Sequence, residues 1–84
     1  MSQAISVQKA LELYAEIFAV GVETLSPSTP RSAIKDWDSL GVLTIMAEYD
    51  SQFGIIFEPG EMESCRSLND LINVLRKHNK ILEN

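Results

Sequence analysis

The chain has 84 residues, 45% of them hydrophobic, and carries a formal net charge of −5. Such a length holds one small domain at most and leaves no room for a deep enzyme cleft beside a full core. The composition is that of a globular chain rather than a disordered one, and the acidity argues against a nucleic-acid backbone as the main partner, since phosphate neutralisation needs Lys and Arg.

The same acidity favours partners with basic patches, because opposite potentials speed encounter. The single cysteine, Cys65, rules out an intramolecular disulfide. Met1 to Lys9 has no basic start followed by an apolar run, as a secretory signal would. No stretch approaches a membrane-spanning length. The expectation is a cytoplasmic, reduced monomer without a membrane or nucleic-acid partner.

From Ile5 to Val22 apolar residues recur at helical spacing. Val7, Leu11, Ala15, Phe18 and Val22 form one stripe, with Ala10, Tyr14 and Ile17 beside it and Lys9, Glu12 and Glu16 opposite. This predicts an amphipathic helix starting near Ser2 or Ser6 and ending near Gly21. From Glu23 to Trp37 the pattern breaks. Ser26-Pro27-Ser28-Thr29-Pro30 cannot continue a helix, because each proline lacks a donor and disfavours helix in the residue before it. The connection is long for a compact domain, and Ile34 and Trp37 are its expected anchors in the core.

A second helix is expected over Ser39 to Phe53, with Asp38 as N-cap and Gly54 as C-cap. Leu43, Met46, Ala47, Tyr49 and Phe53 are assigned to its buried side. Ile55-Ile56-Phe57 reads as a buried connector, since no second strand candidate exists to pair with it. Glu61 to Ser64 is assigned one short helical turn. The last helix starts at Ser67, with Asp70 three residues on as a variant capping box. Leu68, Leu71, Ile72 and Leu75 are its inner stripe, and Arg76, Lys77 and Lys80 lie toward the end that the helix dipole prefers for cations. The predicted fold is all-α: three main helices plus a short fourth, with a long loop between the first two, forming one domain over 1–84. Leu43, Met46, Phe53, Ile56, Leu68, Leu71 and Leu75 are expected to line the space between the helices.

Catalysis by these residues alone is not expected. One Cys and one His cannot make a zinc site. Asp36 and Asp38 begin like a calcium loop and Gly41 matches its glycine, but Leu40 stands where an oxygen ligand is needed and Ala47 where a glutamate is needed. His78 ends the last helix, the ordinary place for an exposed histidine. Cys65 sits among apolar positions as a small core residue. No glycine-rich phosphate loop is present.

One constellation remains. Asp38-Ser39-Leu40 opens the second helix after the long loop. Phe53 follows fourteen residues after Ser39, the apolar connector leads to Pro59, and Ser67-Leu68-Asn69-Asp70-Leu71 opens the last helix. In this order, over nearly its whole length, the chain resembles the acyl carrier protein family of phosphopantetheine-binding proteins. The resemblance implies an acyl-carrier-like bundle. It implies that Ser39 receives a covalent 4′-phosphopantetheine arm from coenzyme A through a phosphopantetheinyl transferase (holo-synthase). Asp38 then matches the acidic residue before that serine, and Leu40 the hydrophobic residue after it that partner enzymes touch. Those partners would be acyl- or aminoacyl-activating and transfer enzymes. Asp36, Val42, Thr44 and Glu48 flank Ser39 and complete the expected partner surface.

Gly41, Thr44, Ser51 and Gln52 stand where carriers of fatty acid synthesis often have acidic residues. Trp37-Asp38-Ser39-Leu40 looks more like stand-alone carriers of specialised pathways. The implied cargo is an unusual acyl group, an aminoacyl group or a polyketide unit. The competing reading is a small acidic helical adaptor without a prosthetic group. It accounts for the helices and the charge but not for a serine at a helix start behind a long anchored loop.

Overall fold

Three amphipathic segments of this sequence become α-helices in the computed structural model, which describes residues 4–82. The order is β1 (Ile5–Ser6), α1 (Val7–Phe18), a long loop, α2 (Ser39–Phe53), a second connector, α3 (Leu68–Lys77) and β2 (Ile81–Leu82). The long loop contains two 3₁₀ turns, Val22–Thr24 and Arg31–Ala33. The protein is mostly helical, with a two-stranded parallel sheet pairing Ile5 with Ile81 and Ser6 with Leu82. The sequence pattern does not contain that sheet, because two-residue strands are too short for an alternation to register.

Each helix starts at a side-chain cap that takes up an otherwise unpaired amide. Ser6 accepts from Lys9 N–H, Asp38 from Gly41 N–H and Ser67 from Asp70 N–H. Of the two caps expected for the first helix, Ser6 is used and Ser2 lies outside the described residues. The α1 helix stops before Gly21. Ala19 adopts the left-handed conformation, and Val20 N–H closes on Ala15 O. Phe18 is the last buried residue of α1, and the chain turns directly after it. Gly54 ends α2 at φ 67°, where a side chain would be strained. The α3 helix ends at Lys77, so Lys80 lies beyond it rather than in its last turn.

The short fourth helix does not form. Pro59 to Ser64 is a series of turns. Side chains there bond the local backbone: Glu61 accepts from Glu58 N–H at 2.9 Å, and the Ser64 hydroxyl donates to Glu61 O at 2.8 Å. Gly60 at φ 81° interrupts the run, and a single α-type bond, Ser64 N–H to Gly60 O at 3.2 Å, closes after it.

The core is a continuous cluster. Ala10, Leu11, Tyr14, Ala15 and Phe18 come from α1, Ile45, Tyr49 and Phe53 from α2, and Leu68, Leu71, Ile72, Val74 and Leu75 from α3. Ile34 and Trp37 anchor the long loop in it, as expected, and Ile55, Phe57, Met62 and Cys65 fill it from the second connector. One hydroxyl relay ties the three helices. Tyr14 OH bonds Tyr49 OH at 2.5 Å, and Tyr49 OH donates to Leu71 O at 2.8 Å. Burial raises both tyrosine pKa values above the ordinary 10.0, since desolvation disfavours phenolate.

Two expected core residues lie outside it. Leu43 is 63% exposed and Ile56 75% exposed. The inward face of α2 is Gly41, Ile45, Tyr49 and Phe53: Tyr49 and Phe53 are buried as expected, and Gly41 and Ile45 face inward where Leu43, Met46 and Ala47 were expected to. Ala47 is exposed and Met46 only half-buried. Apolar residues occupy more than one side of α2, so periodicity alone does not choose between them. Contact geometry does. A Cβ at position 41 would lie 2.2 Å from Asp36 O and 3.2 Å from the Phe18 ring, so Gly41 is where α2 presses against the loop and α1. In the connector, Ile55 and Phe57 face inward and Ile56 therefore outward, as alternation along an extended chain requires.

Candidate functional site

The long loop is fastened at its middle and at its end, and this places the start of α2. Its middle lies against the start of α3: Leu68 N–H bonds Thr29 O at 3.0 Å, Asn69 N–H bonds Pro27 O at 2.7 Å and Arg31 N–H bonds Arg66 O at 2.7 Å. Its end is pinned by Trp37, 4% exposed, which stacks on Phe18 with ring centroids 5.6 Å apart. Trp37 is thus a packing anchor, and its indole N–H has no hydrogen-bond partner among the described residues. Asp38 follows at once, extended at φ −121°.

Asp38 Oδ1 accepts from Gly41 N–H at 3.1 Å. With that bond made, the Ser39 hydroxyl is not needed as a cap. Ser39 is the first residue of α2, it is exposed, and its hydroxyl has no hydrogen-bond partner among the described residues. The backbone N–H groups of Ser39 and Leu40 are likewise unpaired there. Ser39 therefore presents a free hydroxyl at the positive end of a helix, beside free amide donors, which suits an attached anionic group.

Two grooves flank it. One, of about 330 Å³, is lined by Arg31, Ser39, Val42, Leu43, Met62 and Glu63. The other, of about 200 Å³, lies on the Asp36, Asp38 and Leu40 side and reaches Ile17 and Thr44. Leu40 is 74% exposed. With Leu43 and Ala47 it makes an uncovered apolar stripe along α2, one face running away from Ser39. Asp36 is exposed beside it. Val42 is half-buried and lines the larger groove, rather than pointing outward. Thr44 and Glu48 are also half-buried. The Thr44 hydroxyl donates to Leu40 O at 2.9 Å, and Glu48 accepts from Gln52 at 2.6 Å. Sequence reasoning missed Leu43 and Arg31 as neighbours of Ser39. Leu43 looked like core, and no spacing rule links Arg31 to position 39 across the loop.

The Ser39 hydroxyl thus lies between the open amide donors of the helix start and a groove with Val42, Leu43 and Met62 as its apolar lining. Among the described residues no group of three His, Cys, Asp or Glu side chains is placed to hold a metal ion. Cys65 is buried, and desolvation pushes its thiol up to about 11, so it is a poor nucleophile. No helix among the described residues is long and apolar enough to cross a membrane. Comparison of the chain with protein-family models, curated proteins and solved structures returns no match.

Proposed function

We propose that this chain is a carrier protein of the acyl-carrier-like kind, which holds a 4′-phosphopantetheine arm on Ser39 and delivers acyl or aminoacyl cargo to partner enzymes. The observation that carries the reading is the division of labour at the start of α2. Asp38 caps the helix, and Ser39 is left exposed with a hydroxyl that serves no structural bond. Ser6 and Ser67, the serines at the other two helix starts, are both engaged as caps.

The arm supplies a terminal thiol for a thioester. The protein's own residues do the rest. Asp38 fixes the helix start, Gly41 lets α2 approach the loop, and Leu40, Leu43 and Ala47 offer apolar contact to a docking enzyme. Asp36 and Glu48 add negative charge near that surface, which speeds encounter with basic partners. An adaptor without an arm would use the same apolar stripe, but it gives the free hydroxyl no role.

Incubation with a phosphopantetheinyl transferase, magnesium and coenzyme A tests this. The intact mass of the protein should rise by one arm, and Ser39→Ala should block the rise. An unmodified wild type across several transferases would overturn the carrier reading and leave the adaptor.

A further inference from the structure

Arg31 lines the larger groove together with Ser39, and its side chain is held at one end only. Its backbone N–H bonds Arg66 O at 2.7 Å, which fixes the residue in place. Its Nε donates to Trp37 O at 3.3 Å, and its guanidinium carbon lies 5.6 Å from the Trp37 ring centroid. Those contacts use Nε and one face of the group. The two terminal amino groups have no hydrogen-bond or ion-pair partner among the described residues. Glu63 lines the same groove but makes no ion pair with Arg31. A guanidinium fixed at its stem, with its fork free, suits paired phosphate oxygens; part of the entropy cost of ordering it is already met.

We propose that Arg31 binds the phosphate of the arm attached at Ser39. It thereby directs the arm along the groove floored by Val42, Leu43 and Met62. The inference rests on the carrier reading. The phosphate is the first group beyond the Ser39 oxygen, so it needs no reach outside the groove both residues line. Trp37 then acts as a positioning residue, since its carbonyl and ring hold the guanidinium in place.

The test compares apo and arm-bearing forms of the wild type, Arg31→Lys and Arg31→Gln by thermal unfolding, with intact mass reporting loading. Arg31→Gln also loses the bond to Trp37 O, so the quantity read is the shift on loading within each variant. Loading should raise the wild-type midpoint by about 2–5 °C at low salt, the size expected of a modest charged contact in so small a domain. The shift should be clearly smaller in Arg31→Gln, where only the open amides of the helix start remain to meet the phosphate, and intermediate in Arg31→Lys, which keeps the charge but not the fork. It should shrink near about 1 M salt, where screening acts within about 3 Å. The phosphorus resonance of the loaded protein should also move between wild type and Arg31→Lys, which covers the case of Arg31→Gln failing to fold. A loaded Arg31→Gln with the full wild-type shift, or a phosphorus resonance identical in wild type and Arg31→Lys, overturns the role of Arg31 alone. A wild type that never gains the arm overturns the carrier reading and this inference with it.

Discussion

The starts of α2 and α3 are built from similar residues and finished differently. At α3 the serine is the cap, and the next amides are closed by carbonyls of the long loop: Leu68 N–H by Thr29 O and Asn69 N–H by Pro27 O. Asp70 reaches back to Arg66 N–H at 2.8 Å, one residue beyond the usual capping-box partner. At α2 an aspartate is the cap, the serine comes one residue later, and the Ser39 and Leu40 amides stay open. The outward faces differ in the same way. The face of α3 away from the core carries Asn69, Asn73 and Lys77, whereas α2 exposes Leu40 and Leu43. One helix start is closed by the long loop, and the other is left with open amides and an exposed serine.

The largest contrast should appear between the helix faces. Leu71 is fully buried, and Leu71→Ala should cost about 2–5 kcal/mol in chemical denaturation. That is a large part of the stability of a domain this size. Leu43→Ala should change stability by less than about 0.5 kcal/mol. A comparable loss at both positions would place Leu43 in the core and remove it from the exposed stripe.

Next in size is Gly41. Alanine usually favours a helix over glycine by about 1 kcal/mol. Here its Cβ would press on Asp36 O, and Gly41→Ala should instead destabilise by about 1–3 kcal/mol. A gain in melting temperature would mean that α2 does not approach the loop closely.

The caps sharpen the comparison itself. Ser67→Ala and Asp38→Ala should each cost about 0.5–2 kcal/mol. Ser39→Ala should leave stability within about 0.5 kcal/mol of wild type while abolishing loading. If Ser39→Ala destabilised as much as Ser67→Ala, the hydroxyl would be structural after all.

A separate effect appears at alkaline pH. Cys65, Tyr14 and Tyr49 hold their protons more tightly in the folded protein than their ordinary values of 9.0 and 10.0. As pH rises through those values, the unfolded chain gives up protons the folded one retains, so stability falls. The contribution is fully present below about pH 9. For Cys65 it declines between about pH 9 and 11, with the tyrosines following above pH 10. Unfolding curves from pH 7 to 11 should show this decline, and Cys65→Ala should remove its first part.

Much of this was legible in the sequence because it depends on local chemistry. Caps at Ser6, Asp38 and Ser67, the glycine end of α2 and the prolines of the loop act through their nearest neighbours. The inward stripe of α3 was legible too, since its polar and apolar residues separate cleanly. The rotation of α2 was not, because Leu40, Leu43, Ile45 and Met46 are apolar on several sides and only the close approach at Gly41 decides which face turns in. The link between Arg31 and Ser39 and the pairing of Ile5 with Ile81 join distant segments, and no local pattern encodes them.

The most direct measurement is a fragmentation mass spectrum of the wild-type protein after treatment with a phosphopantetheinyl transferase and coenzyme A. It should find one added phosphopantetheine, located on Ser39. An arm on any other serine, or no added mass, would contradict the account.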